Sequence, residues 1–375
     1  MNARSVLARI LLVGAAALAL FAPTGAPVGA APRSQTSTFD CSFHPLTQSL
    51  LDETRQADWV GWVARLTGAQ PVVMGENAYT FTTRSSFALF NGQENALAYP
   101  YLLQTLQQWY PPTQIEEDPY EVLLSGQRRT WKNLILEIPG QATPQEIVIL
   151  TAHLDSTSPT ANTLAPGADD NAGGAAALLE AARLLRSRFF QRTIRLIWFT
   201  GEEQGMLGSR DYVRTHDLSG VMGVINLDMF SYDSDGDHCL ELQVGVLPQS
   251  DAVGRCFTQA ITAYQLNLTA DYFNNSFAVS ASDHSSFWQS GIGAIAVGQN
   301  IRSLSTPGGC VGADQNPNYH KVTDTLENIH PAYGFATAQA ALAAISDMAE
   351  PLPEPLRRRL FLPVISDVCV TSLDC

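Results

Sequence analysis

The sequence predicts an α/β fold: a mixed, largely parallel central sheet with helices on both faces. Short apolar runs bounded by turn residues, Leu134 to Ile138 and Ile147 to Leu150 among them, read as buried strands. Ala/Leu-rich and amphipathic helical stretches alternate with these runs, which is the pattern of parallel strands joined by helical crossovers. The 375 residues, 45% of them hydrophobic, supply the core of one large domain or two small ones.

Taken in order, residues 1–30 stand apart as a signal peptide. Arg4 and Arg9 precede the small and apolar run Ile10 to Ala22, and Val28-Gly29-Ala30 supplies small residues for cleavage. The run falls short of the ~20 apolar residues that a membrane span needs, so no stable span is expected. Secretion to an extracellular location follows, with cell-surface retention as its variant. All six cysteines (Cys41, Cys239, Cys256, Cys310, Cys369 and Cys375) lie beyond residue 30, and an even number in an exported chain favours disulfides. Proximity along the chain suggests Cys239 with Cys256 and Cys369 with Cys375.

Residues 31–349 are read as the folded domain. Its first part, 31–130, is a mostly helical lead-in whose plainest helix is Asn95 to Trp109, with Pro100 near the first turn where proline is tolerated. Gln114 to Asp118 reads as an acidic, proline-flanked loop. The two strands already named follow, then a helix from Ala172 to Arg188, a strand from Thr193 to Thr200, a helix from Gln204 to Thr215 and a strand from Val221 to Met229. Helices are expected near Ser250 to Tyr264 and Asp283 to Gln289, a strand at Ala294 to Val297, and a closing Ala-rich helix from Pro331 to Met348. The C-terminal extension, 350–375, turns proline-rich, then basic at Arg357-Arg358-Arg359, and is expected to lie on the domain as a strand or extension.

Charge narrows the function classes. Lys and Arg number 22 against 36 Asp and Glu, a formal charge of −14. Nucleic-acid binders gain affinity by neutralising phosphates with Lys and Arg, so no nucleic-acid partner is expected. Gly and Pro show no fixed period, which excludes collagen-like and repeat architectures.

In open α/β sheets ligands bind beyond the carboxyl ends of the strands. There the chain places His153-Leu154-Asp155, Gly201-Glu202-Glu203 and Asp228, with Gly167-Ala168-Asp169-Asp170-Asn171 directly before the long helix and His320 in a later segment. Singly, each has an ordinary role: a core histidine, a helix N-cap at Asp170, an acidic first turn that suits the helix dipole. Together, several carboxylates and imidazoles on one sheet edge repel and shift one another unless a multivalent cation neutralises them. Imidazole with carboxylate suits zinc, whereas calcium and magnesium prefer oxygen alone.

The set His153-x-Asp155, Gly167-Ala168-Asp169-Asp170-Asn171-x-Gly173-Gly174, Gly201-Glu202-Glu203, Asn226-Leu227-Asp228-Met229 and Tyr319-His320-x-x-x-Asp324-Thr325 resembles the secreted two-zinc aminopeptidases of the M28 family. The likeness spans about residues 80 to 348, with the five motifs in family order. It implies a zinc-exopeptidase, phosphorylase/hydrolase-like fold and two zinc ions per chain, with peptide or protein N-termini as substrate. It pairs Asp228 with His153 on one zinc, places Glu203 and His320 on the other, and has Asp170 bridge them across a cis Asp170–Asn171 peptide. Asp169 is the adjacent competitor for the bridge. Asp155 is implied to accept the other ring N–H of His153, and Glu202 to be the general base that also protonates the departing amine. Tyr319 matches the position that supplies an oxyanion-stabilising phenol in some members. Others place a tyrosine shortly before Ser282-Asp283-His284, where this chain has Val279. His284 is expected to hydrogen-bond near the site and not to bind metal.

For substrate binding, Met229, Phe230 and Phe277, with Phe273, are the apolar residues near the motifs. Asp233-Ser234-Asp235-Gly236-Asp237 resembles a small calcium loop without its bidentate glutamate and reads as a solvated turn. Rival functions on the same residues are a single-zinc aminoacyltransferase resembling glutaminyl cyclases, a carboxypeptidase relative and a non-catalytic binding ectodomain.

Overall fold

Every second residue of the central strands points to the same face, and the burial pattern shows two faces filled at once. Val148, Leu150, Leu196 and Trp198 join one apolar cluster, while Ile149, Ile197 and Phe199 join another on the opposite side. A sheet buried on both sides needs helices on both sides, and it has them. The computed structural model describes residues 39–94, 97–302, 310 and 312–355. The signal peptide, the first two residues of the helix expected from Asn95, the tail beyond Pro355 and the Cys369–Cys375 pairing lie outside the described residues.

Helices α1 (Pro45–Leu51) and α2 (Gln56–Leu66) open the described fold, followed by the small hairpin β1 (Val72–Met74) and β2 (Asn77–Tyr79) and by α3 (Ala98–Gln107). Then come β3 (Ile115–Leu124), β4 (Gln127–Ile138), β5 (Thr143–His153), α4 (Gly173–Leu185), β6 (Phe189–Phe190), β7 (Arg192–Phe199), α5 (Leu207–Thr215) and β8 (Val221–Leu227). The remainder is β9 (Cys239–Gln243), α6 (Pro248–Ala263), β10 (Thr269–Phe273), α7 (His284–Gln289), β11 (Ala294–Gln299), α8 (Pro331–Ala349) and β12 (Pro351–Leu352).

Eight strands make the main sheet in the order β10-β9-β11-β8-β5-β7-β4-β3. The block β11-β8-β5-β7 is parallel, so His153, Phe199, Leu227 and Gln299 all end at one edge. β4 and β3 add antiparallel on one side; on the other, β9 adds antiparallel to β11 and β10 parallel to β9. The expected mixed, largely parallel sheet is what the chain forms. The Ala-rich α4 packs with its whole length buried, from Gly173 to Leu185 except Arg183. Its small residues let the helix approach the sheet closely.

Two expectations need correction, and two strands were not foreseen. Residues 114–118 are not a loop: from Ile115 onward they belong to β3, an edge strand paired with β4 from Ile115↔Leu136 to Leu124↔Gln127. Glu117, Pro119 and Glu121 share one exposed face of this edge strand, and Glu116 is exposed near the start of the other face, so the acids and the proline are tolerated there. β9 and β10 are strands that the sequence hides, because Glu241 and Asp271 interrupt their apolar runs yet are buried. The Cys239–Cys256 pairing is not formed; the disulfides are Cys41–Cys256 and Cys239–Cys310, which close separations of 215 and 71 residues. Among the described residues no helix is long and apolar enough to cross a membrane.

Candidate metal centre

The parallel strand ends converge on one cluster. His153 is the last residue of β5, Asp228 directly follows β8, and Glu202 and Glu203 follow β7 through Gly201. Gly201 has φ +71, and a Cβ there would lie 2.8 Å from the Tyr120 hydroxyl, so only glycine turns the chain here. Between β5 and α4 the turn at Ala168–Ala172 holds Asp170, whose peptide bond to Asn171 is cis. The Asn171 side chain fastens this turn, donating to the Leu227 carbonyl at 2.8 Å and accepting the Gly174 N–H at 3.1 Å.

The two oxygens of Asp170 face different imidazoles. Oδ1 lies 3.2 Å from His153 Nε2, and Oδ2 lies 3.2 Å from His320 Nε2. His153 Nε2 is also 3.2 Å from Asp228 Oδ1, and His320 Nε2 is 3.0 Å from Glu203 Oε2. The result is two triads, His153/Asp170/Asp228 and Asp170/Glu203/His320, each with its donor atoms within 4.8 Å of one another and both sharing Asp170. Glu203 Oε1 is buried without a hydrogen-bond partner, an orphaned acceptor of the kind a cation satisfies. Imidazole nitrogens with carboxylate oxygens form a donor set that suits zinc.

The electrostatics agree with a site built for cations. Burial, and after it the carboxylates of Asp228, Asp283 and Asp155, push Glu202 up to about 10 despite His153. Burial and Asp170 raise Glu203 to about 7 against the pull of His320. Burial works against charge on His320, yet Asp170 and Glu203 raise it to about 10. Burial is the first cause of the two glutamate shifts, and the neighbouring carboxylates add to it.

Asp169 faces elsewhere: Oδ1 accepts the Ser231 N–H and Oδ2 accepts the Asn316 side chain, each at 2.8 Å. Asp155 has a different part from the one expected. The His153 Nδ1 position is 3.0 Å from the Asp155 main-chain carbonyl and 3.8 Å from its carboxylate. The carboxylate instead accepts the N–H groups of Glu202 and Glu203 at 3.2 and 3.3 Å. His284 lies beside the site with Nε2 bonded to the Val279 carbonyl at 2.8 Å, and burial lowers it to about 4, so it is neutral.

Two supports were not assigned from sequence. The Asp324 carboxylate receives the N–H groups of Asp169 and Asp170, both at 3.1 Å. Arg84, buried, binds the carbonyls of Leu66, Leu154, Pro166 and Gly167 and so knits the loop before the Asp170 turn. Asp324 stands in a motif that could have pointed to it; Arg84 stands in none.

Beside the triads a cavity of about 410 Å³ is lined by Asp228, Met229, Val279, Ala296, Ile301 and Tyr319, with others. A roomier one, about 780 Å³ by Phe90 and Lys132, holds neither triad. Of the expected substrate residues only Met229 lines the cavity. Met229 has φ +54, and after this left-handed turn Phe230 points inward, fully buried with its ring 6.3 Å from that of Trp59. Phe277 is 74% exposed and outside the lining, and Phe273 lies buried beneath the Arg302 guanidinium. Tyr319 stacks on the His320 ring at 3.7 Å.

A parallel-centred sheet carrying two acid–imidazole triads at its strand ends defines an α/β protein with a two-part candidate metal site. The sequence model of Peptidase family M28 matches residues 133–345, more than half of the chain, and the chain belongs to that family. It is 28% identical over 247 residues to a probable lipoprotein aminopeptidase, LpqL, of Mycobacterium tuberculosis, covering 61% of this chain and 48% of that one. It is 30% identical over 222 residues to a probable leucine aminopeptidase of Arthroderma otae, covering 56% of each. The chain thus spans about half the length of the curated relatives it matches. In fold it is similar to the LapA aminopeptidase of Legionella pneumophila, with a TM-score of 0.64, 19% identity and coverage of 89% of this chain and 81% of that one. An Acidobacteriales glutaminyl cyclase shares the fold at a TM-score of 0.56, 17% identity and coverage of 78% and 94%. The fold alone therefore does not separate these chemistries.

Proposed function

We propose that this protein is an exported aminopeptidase that holds two zinc ions, one in each triad, and releases N-terminal residues from peptides. The observation that carries the reading is Asp170, whose two oxygens each lie 3.2 Å from a different imidazole, so that this one carboxylate would serve both triads. A single-zinc site has no use for His153 and Asp228 in a second triad. Two disulfides in the described chain support export.

Zinc, when bound, supplies Lewis acidity toward a carbonyl and lowers the pKa of water toward neutrality. The chain supplies the rest. Glu202, which is in neither triad, takes the proton of the attacking water and returns it to the departing amine. Burial is the first cause of its push toward the protonated form, and neutralising Asp228 would remove the largest of the charge contributions that add to it. Burial and the neighbouring Asp170 and Glu203 keep the Tyr319 phenol protonated, so it can donate to the carbonyl oxygen as charge develops there. The carboxylates around the site favour a free α-ammonium, which restricts cleavage to the N-terminus.

The side-chain cavity suits an uncharged, apolar residue. Its lining includes Glu241, but that carboxylate is neutralised by Arg302, whose Nε and Nη2 approach at 3.1 and 2.9 Å. The test is a panel of free and N-acetylated peptides. Cleavage of the free forms only, abolished by a chelator and restored by Zn²⁺, is expected. Cleavage of acetylated peptides from the opposite end would replace this reading with a carboxypeptidase.

A further inference from the structure

A second cluster of acids lies away from the triads. Asp233, Asp235 and Asp237 come from the loop between β8 and β9, and Asp314 comes from the segment that follows β11. Each offers an oxygen, and the four oxygens all lie within 4.8 Å of one another. Each carboxylate also accepts a main-chain N–H: Asp233 from Gly236 at 2.9 Å, Asp235 from Asp237 at 3.2 Å, Asp237 from Cys239 at 2.8 Å and Asp314 from Ser234. These bonds shape the loop without explaining why four acids share one place.

The observation that points to a ligand is Asp314 itself. It is fully buried, its Oδ1 is taken by the Ser234 main chain and hydroxyl, and its Oδ2 has no hydrogen-bond partner. An unpartnered carboxylate oxygen in the interior is costly unless a cation meets it. Among the described residues no lysine or arginine forms an ion pair with Asp233, Asp235 or Asp314; the His238 ring approaches Asp233, with Nε2 3.8 Å from its Oδ2. Burial and the proximity of Asp233 and Asp235 raise the Asp314 pKa, the response of an acid that lacks a counter-charge.

We propose that Asp233, Asp235, Asp237 and Asp314 form a calcium site distinct from the zinc-type triads. The donors are all oxygen, the preference of Ca²⁺ and the opposite of the nitrogen-containing triads. At Ca–O distances of about 2.4 Å, oxygens on opposite sides of one ion stand about 4.8 Å apart, so four oxygens that all lie within 4.8 Å of one another can reach a single ion. The isolated loop lacks the bidentate glutamate of a calcium hand, and Asp314 supplies from a distance the carboxylate that the local sequence lacks.

The site has a structural consequence. The loop and the Asp314 segment are the two stretches that the Cys239–Cys310 disulfide also joins. Both reach the metal centre through Asp169, which accepts from Ser231 on one stretch and Asn316 on the other. A calcium ion there holds together the flanks of Asp228 and His320.

The test uses the full chain, saturated with zinc, titrated with CaCl₂ by calorimetry and followed by thermal melting. One Ca²⁺ per chain is expected, with an affinity between micromolar and millimolar and a Tm that rises with Ca²⁺. Asp235→Asn, on the exposed loop where folding is not at risk, is expected to weaken Ca²⁺ at least tenfold, and Asp314→Asn to abolish it, both with zinc content unchanged. No heat and no Tm change up to several millimolar Ca²⁺ in the wild-type chain, or unaltered binding in Asp235→Asn, would overturn the proposal. Because zinc content and peptide hydrolysis are read separately, failure here is distinguishable from failure of the aminopeptidase reading.

Discussion

The Asp155 carboxylate holds the main chain of Glu202, accepting its N–H at 3.2 Å while a second oxygen accepts that of Glu203. One acid on β5's extension thereby sets the position of both the base and a metal ligand on the neighbouring strand end. Removing it frees two partly buried N–H groups and loosens both glutamates. Asp155→Ala is expected to lower kcat by 10- to 100-fold and to weaken metal affinity by a similar factor, the usual scale for a residue supporting metal ligands. Zinc titration and steady-state kinetics on one preparation check it; a change in KM alone would contradict the positioning role.

Glu202 belongs to neither triad, yet it stands among their residues. Glu202→Gln keeps the volume and removes the base. Zinc content is expected to stay at the wild-type level while turnover falls by roughly 10²–10⁴, the contribution typical of a positioned acid–base group. Metal analysis beside the rate measurement separates lost chemistry from lost metal, and an unaltered rate would remove Glu202 from the mechanism.

The shared Asp170 makes stoichiometry informative. His153→Ala breaks one triad and His320→Ala the other, and in each the remaining triad keeps its three donors. Each variant is expected to retain about one zinc of the two in the wild-type chain, with activity down at least a hundredfold. One zinc in the wild-type chain at saturation would favour a cyclase-like site instead.

What could be read from the sequence and what could not divide along a physical line. His153, Glu203 and Asp228 were legible because each follows an apolar strand run, and parallel strands deliver their ends to one edge. The central strands were legible because burial on both faces leaves unbroken apolar runs. β9 was not, since its buried Glu241 is met by Gln243 and by the guanidinium of Arg302, some sixty positions away in the chain. The Cys239–Cys256 expectation fails for the same reason: Cys256 pairs instead with Cys41, 215 residues away, and proximity in sequence carries no information about such a pairing. Phe230 was misplaced because one left-handed residue, Met229, reverses the direction of the next side chain. The acceptor role of Asp155 depends on which of its oxygens, main-chain or side-chain, faces His153, and no motif encodes that.

Near the end of α8, Asp347 is buried, accepting the Thr47 hydroxyl of α1 at 2.6 Å and the hydroxyl of Tyr264, just after α6, at 2.9 Å. Burial raises its pKa to about 7, even though both hydroxyls favour the charged form. An acid whose folded pKa lies above its unfolded value binds more protons in the native state between the two. Its contribution is therefore complete below about pH 4 and is lost as pH rises toward 7. Asp347→Asn mimics the protonated acid and removes this dependence. With zinc saturating in both chains, urea midpoints are expected to coincide near pH 4. Between pH 4 and 7 the variant should gain on the wild type by at most a few kcal/mol. A stability difference that stays constant across that window would show that Asp347 ionises as freely in the folded protein as in the unfolded chain.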